Sequence, residues 1–353
     1  MIAEARAVGY ERVIGMRDGV QGLLRGDIVD LTAIPGGELE TLKRTPAAAL
    51  GSCRYKLQAG DAEKLAATCA EHGIEAWVYI GGNDSADTSR QVAEVATGLK
   101  VIGVPKTIDN DLPGTDHCPG YGSAARFVAS VTRETALDTW AMRHTDPIRL
   151  IEVMGRHAGW LPGAAWLARG EAPHLVYVPE RPKVAEDIIA DVQRVYAAEG
   201  WCVVVLCENQ PIGPRGEPRW VDAFGHAYFD SPAQQLMQRI TGALKVRARW
   251  DKPGTIQRNA LGYVSTADRA EAELVGRAAV RLAAQGQTNL MVTLERTEPY
   301  EIRTGTVPLA TVANEQRRLP DTFINEEGNG LTVAFTHYAR PLIGEPLPDL
   351  LRL

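Results

Sequence analysis

Short apolar runs alternate with segments of helical periodicity along most of this chain, and that alternation limits the fold more than any other feature. AWVYI (76–80), KVIGV (100–104), RLIEV (149–153), LVYV (175–178), CVVVLCE (202–208) and TNLMVTL (288–294) have strand length and strand composition. Between them, 85–98, 122–142, 184–200, 231–244 and 266–286 carry apolar residues at helical spacing, and several close on glycine. Repeated strand–helix units predict an α/β fold with mainly parallel sheets, covered by helices on both faces. In such sheets ligands gather outside the carboxyl ends of the strands.

At 353 residues the chain is long enough for two doubly wound domains. A formal net charge of −6 argues against a general nucleic-acid binder, so any anion site must be local. No apolar run reaches the roughly 18 residues of a membrane span. With no signal peptide either, the expectation is a cytoplasmic protein without a membrane partner. Cys53, Cys69, Cys118, Cys202 and Cys207 form no CxxC pair and read as reduced, mostly buried thiols. NQPIGPRGEPRW (209–220) reads as a surface loop.

Polar residues cluster where the strands end. After AWVYI comes GGNDSADT: either a tight turn with ordinary acidic caps at Asp84 and Asp87, or a backbone cradle for an anion at a helix start. After KVIGV comes PKTIDND, with Lys106, Asp109 and Asp111 close together. A carboxylate there can take a proton from a hydroxyl and an ammonium can hold a transferring group; alternatively the stretch is a polar loop with a surface ion pair. RLIEV runs into MGRHAGW, and CVVVLCE ends at Glu208. KVRARWDKPGTIQR (245–258) is either a solvated basic face or a curl of guanidinium groups around one anion.

Taken together, GVPKTIDND, GTDHCPGYGSAARF, EVMGRHAGW and KPGTIQR resemble the phosphofructokinase family, its pyrophosphate-dependent branch above all, over about residues 10 to 290. The resemblance implies a phosphofructokinase-like fold. Residues 1–122 with about 257–310 would bind the phosphoryl donor, and 123–256 with about 311–353 the sugar phosphate. The reaction implied is reversible phosphoryl transfer from pyrophosphate to the 1-hydroxyl of fructose 6-phosphate, with sedoheptulose 7-phosphate as a second acceptor. An ATP-dependent 6-phosphofructokinase and a non-catalytic regulatory subunit are the alternatives.

Roles follow from the matched positions. Asp109 would be the base, Lys106 would neutralise the transferring group, and Asp111 would support them. Asp84 would exclude a nucleotide where ATP-using relatives carry glycine. Thr107, Met154, Gly155, Arg156, Glu208, Arg249, Thr255 and Arg258 would bind the sugar phosphate. Gly82, Arg54 and Lys106 would bind pyrophosphate. Asn83 stands where many relatives place a Mg²⁺-binding Asp, so the expected cofactor is Mg²⁺ with a weaker protein ligand. A homodimer or homotetramer is implied, because sugar sites of the family lie at subunit interfaces. The chain departs from the family pattern at Pro147, where a basic residue is usual, and at Thr255, where His or Tyr is common. MIAEARAVGYERVIGMRDG resembles the helix that follows the family's first strand and Gly-rich donor loop, so both are expected to be missing ahead of Met1.

Overall fold

The computed structural model describes residues 1–168, 170, 172–213, 218–221 and 227–352. The chain runs α1 (Ile2–Ala7), β1 (Ile14–Met16), α2 (Val20–Leu24), β2 (Ile28–Asp30), α3 (Gly36–Leu42) and α4 (Asp61–Glu71). Next come β3 (Ala76–Gly81), α5 (Asn83–Val95), β4 (Lys100–Pro105), α6 (Tyr121–Ala141), β5 (Ile148–Val153), α7 (Trp160–Gly163) and β6 (Leu175–Tyr177). Then follow α8 (Ala185–Glu199), β7 (Cys202–Cys207), β8 (Trp220–Val221), β9 (Ala227–Tyr228), α9 (Pro232–Leu244) and β10 (Ala248–Asp251). The last elements are α10 (Thr266–Ala284), β11 (Leu290–Thr297), β12 (Glu301–Pro308) and α11 (Val333–Ala339).

Two four-stranded sheets organise the molecule. The first has the order β12-β11-β4-β3 and the second β10-β5-β7-β6. β3, β4 and β11 are parallel, as are all four strands of the second sheet. Alternation along each strand splits its side chains between two cores. In the second sheet Ile151, Val153, Val203 and Val205 face α6, while Ile148, Leu150, Cys202, Val204 and Leu206 face α8 and α9. In the first sheet Val101 and Trp77 join one cluster and Ile102, Val104 and Val292 another, the latter under α10. Each fully buried aliphatic side chain contributes about 1.5–3 kcal/mol. That is why KVIGV, RLIEV and CVVVLCE form interior strands, whereas AWVYI forms the edge strand β3 and leaves Ile80 exposed.

Three segments differ from expectation. The strand expected over 288–294 runs instead from Leu290 to Thr297 and turns back into β12, which pairs antiparallel with it. β12 buries none of its side chains fully, so it leaves no apolar run in the sequence. The basic stretch 245–258 contains β10 on the edge of the second sheet, followed by a short 3₁₀ turn, Gly254–Arg258. Of the loop expected over 209–220, residues 214–217 lie outside the described residues, and Trp220 opens β8. Near its end the chain changes partners: Leu309 and Val312 pack in the first sheet's core, whereas Leu319, Ile324, Phe335 and Leu342 pack against α6 in the second's.

Candidate active site

The turns after β3, β4, β5 and β7 open on one cavity of about 2420 Å³. The turn after β4 carries most of the charge. Lys106 N–H donates to the Gly81 carbonyl at 3.0 Å, which ties this turn to the end of β3. Thr107 N–H donates to Pro119 O at 3.2 Å, and Asp109 N–H donates to Thr107 Oγ1 at 3.1 Å. Asn110 takes a left-handed backbone (φ +56°), a conformation that asparagine tolerates better than most residues. Its side chain accepts from Cys118 N–H at 2.9 Å and donates to the Tyr338 hydroxyl at 2.8 Å. The reversal leaves Asp109 and Asp111 both in the cavity wall.

Burial pushes the Asp109 carboxyl up from 3.8 to about 7; the Asp111 and Glu208 carboxylates add to this, and Arg156 and Lys106 oppose it. Lys106 is an exposed residue on the cavity wall, but the surrounding protein lowers its pKa, as does the Arg258 guanidinium, against the pull of Asp109. Asp111 Oδ2 accepts from Gln316 Nε2 at 2.9 Å.

The turn after β3 is built on glycine. A Cβ on Gly81 would stand 1.9 Å from Ser85 Oγ, and Gly82 forms the N-cap of α5. Gly82, Asn83 and Asp84 line the cavity. The Asn83 Oδ1 is buried with no hydrogen-bond partner. Asp87 has a structural role: it is buried and accepts from Arg90 at 2.9 Å, Gln91 at 2.7 Å and Asn314 at 3.2 Å.

After β5, Gly155 adopts φ +115°, and a Cβ there would meet Ala158 O and Pro162 Cδ at 3.0 Å. Met154 N–H donates to Gln257 Oε1 at 3.2 Å. Arg156 Nε lies 3.9 Å from Glu208 Oε1. Burial raises the Glu208 pKa, while Arg156, Lys252 and Arg54 oppose that rise. The cavity wall therefore unites Arg54, Gly82, Asn83, Asp84, Lys106, Thr107, Asp109, Asp111, Met154, Arg156, Glu208 and Arg258.

Gly155, Thr255 and Arg249 are outside that wall. Arg249 Nε binds Asp146 Oδ2 at 2.8 Å, beside Arg247, whose Nε lies 3.0 Å from Oδ1. The reason is topological. Arg249 sits near the amino end of β10, opposite Arg149 of β5, and the cavity lies at the carboxyl ends. Arg149 is itself held by Asp138 at 2.7 Å and Asp251 at 2.9 Å.

Several residues of the site escaped the sequence reading. Gln257 supports Met154. Gln316 and Arg317 grip the Asp109–Asp111 turn from the far end of the chain. Glu152 is buried in β5 and paired with Lys252 at 2.6 Å. A charge inside the apolar run RLIEV was a legible signal for that pair. Nothing in the spacing around 316–317 marked the other two.

A hydroxyl-bearing acceptor placed beside Asp109 would lose its proton to a base poised near neutrality, with Lys106 available to balance anionic charge. The family model described as phosphofructokinase matches residues 1–283. The pyrophosphate–fructose 6-phosphate 1-phosphotransferase of Xanthomonas campestris pv. campestris is 37% identical, covering 99% of this chain and 88% of its own length. The enzyme of the same description from Rhodospirillum rubrum is 39% identical over 97% of this chain and 89% of its own. The crystal structure of a pyrophosphate-dependent phosphofructokinase from Marinobacter aquaeolei superposes with a TM-score of 0.89 at 34% identity, covering 99% of this chain and 88% of that one.

Proposed function

The chain belongs to the phosphofructokinase family, and from that premise we propose that it transfers a phosphoryl group reversibly between pyrophosphate and fructose 6-phosphate. One observation carries the reading: Asp109, with its pKa near 7, shares a turn with Lys106 and lies within electrostatic reach of Arg156 and Glu208.

The sugar's 1-hydroxyl gives its proton to Asp109 as its oxygen attacks the terminal phosphorus of pyrophosphate. The bridging P–O bond breaks and inorganic phosphate leaves with the bridging oxygen. Fructose 1,6-bisphosphate is the other product. In reverse, a phosphate oxygen attacks the 1-phosphoryl phosphorus, the bond from phosphorus to the sugar's 1-oxygen breaks, and protonated Asp109 returns its proton to that 1-oxygen. Lys106 offsets charge on the transferring group, and Arg156, Glu208 and Arg258 hold and orient the sugar phosphate. The turn at Gly81–Gly82 lets the backbone approach the donor, and Arg54 adds a cation on the cavity wall. Positioning and charge stabilisation supply the rate. Asp84, at the first turn of α5, would place negative charge where a longer nucleotide donor needs room.

The donor set fits Mg²⁺ in part. The partnerless Asn83 oxygen and the Asp84 carboxylate are hard oxygen ligands. No group of three His, Cys, Asp or Glu gathers to hold an ion among the described residues. The ion would therefore bind mainly through donor phosphate oxygens and would neutralise them. The two sheets are read as two domains, residues 1–122 with about 257–310 and residues 123–256 with about 311–353. A homodimer or homotetramer is proposed as well, in which Arg249, facing out of its own cavity, serves a neighbouring copy. No helix among the described residues is long and apolar enough to cross a membrane.

The test is a coupled assay for fructose 1,6-bisphosphate with pyrophosphate or ATP as donor, and with fructose 6-phosphate or sedoheptulose 7-phosphate as acceptor. Turnover with pyrophosphate and none with ATP is expected. The opposite pattern would overturn the donor assignment.

A further inference from the structure

We propose that Gln316 and Arg317 are positioning residues for this reaction: together they fix the backbone reversal that sets Asp109 in the cavity wall, with the Asp111 carboxylate beside it held by Gln316. The inference rests on the phosphoryl-transfer reading above and adds how its base is placed.

The geometry is specific. Arg317 Nη2 and Nε donate to the Asn110 carbonyl at 2.8 and 3.3 Å. Its Nη1 donates to Thr115 O at 3.0 Å and also to Asp116 O. The Arg317 N–H donates to Asp111 O at 2.7 Å. One side chain thus grips the carbonyl of the left-handed residue between the two aspartates, and its main chain grips the next. The guanidinium lies 4.3 Å from the Trp160 ring, whose Nε1 donates to Arg317 O at 3.2 Å. Trp160 is fully buried at the start of α7, just beyond the Arg156 turn, so the grip is anchored on the sugar side of the site. On the other side Asn314 donates to Asp87 of α5. Gln316, itself in the cavity wall, donates to the Asp111 carboxylate.

An unconstrained Asp-Asn-Asp turn samples many conformers, and two carboxylates so close repel. A fork of donors on backbone oxygens selects one conformer. The amide on Asp111 fixes that carboxylate's position, and with it the repulsion felt by Asp109.

The experiment uses the full chain with Arg317→Met, Arg317→Lys, Gln316→Leu and Gln316→Glu. Expected for Arg317→Met is a kcat loss of about 10²-fold, as for misplaced catalytic groups, with KM for the sugar phosphate within about threefold. Arg317→Lys keeps the charge but not the fork and should recover little. Gln316→Glu sets a second carboxylate against Asp111, so the acidic limb of the kcat/KM profile should move upward by about half a pH unit or more. Gln316→Leu should lower kcat without that upward move. Hydrogen–deuterium exchange at amides 109–118 should quicken in Arg317→Met, a readout independent of substrate. If Arg317→Met fails to fold, the Gln316 pair carries the test. Unchanged pH profile, kcat and exchange in soluble variants would overturn the proposal. Faster loop exchange in Arg317→Met beside a parent chain that shows no pyrophosphate-dependent turnover would overturn the functional reading, and the positioning role with it, and leave only the grip on the turn.

Discussion

Asp109→Asn should raise stability as it cuts turnover, and the gain should depend on pH. A buried carboxyl moved from 3.8 to about 7 resists ionisation in the folded state by about 4 kcal/mol, at 1.36 kcal/mol per pH unit. The sign follows from the direction. The folded protein holds this proton more tightly than the unfolded chain. The favourable contribution is therefore complete below about pH 4 and is lost as pH rises through the folded value near 7. Asparagine has nothing to ionise, so the substitution removes the loss. Water in the cavity screens part of the effect, so a gain of about 2 kcal/mol at pH 8 is the working expectation, about half as large at pH 5.5. Each kcal/mol moves the melting temperature of a domain of 150–250 residues by about 2–4 °C, so calorimetry at the two pH values resolves the difference. The same proton governs rate. In the parent, transfer to the sugar should fall about tenfold per pH unit below 7, while the reverse reaction, which needs the acid form, should fall above it. The Asn variant should lose about 10²–10⁴ in kcat in both directions. A melting-temperature change of the same size at both pH values, with kcat within threefold of the parent, would refute the assignment of Asp109 as a poised buried base.

Other substitutions test the rest of the wall. Lys106→Met should lower kcat by about 10²–10³ with pyrophosphate, because a charged donor aimed at the transferring group is removed; initial rates at saturating substrate check it. Arg156→Ala and Arg258→Ala should each raise the sugar-phosphate KM about tenfold or more, the equivalent of 1.5–3 kcal/mol, with smaller changes in kcat. Asp84→Gly should improve ATP as a donor relative to pyrophosphate, read as a ratio of kcat/KM values, because it removes bulk and like charge. Gly81→Ala forces Ser85 aside from its 1.9 Å clash and should destabilise the chain by about 1–3 kcal/mol in denaturant melts.

β4, β5 and β7 were legible because they are buried on both faces. Runs such as VVVL and VIGV have no polar side to confuse the reading, and their carboxyl ends pointed to Lys106, Asp109, Arg156 and Glu208. Arg249 shows the limit of that logic. Proximity in sequence to Arg258 put both in one basic stretch, but a strand intervenes, and Arg249 falls at the strand's other end against Asp146. The hairpin β11–β12 was half hidden because its outer strand is wet on both faces and carries mixed polar residues. Gln316 and Arg317 gave no signal at all. Their role depends on carbonyl oxygens of a distant turn, and backbone acceptors leave no trace in side-chain pattern.

The grip of Arg317 on Asn110 spans 207 residues. During synthesis at about 5–20 residues per second, some 10–40 s separate the emergence of the two partners from the ribosome. Throughout that interval the first sheet's early strands can pair, but the carbonyls of the turn bearing the base have water in place of the Arg317 donors. Competence is thereby deferred to the end of translation. A nascent or proteolytically shortened chain ending before residue 317 would lack the donors that set the Asp109–Asp111 turn, so activity reports on completion of the polypeptide and not on the folding of its first half.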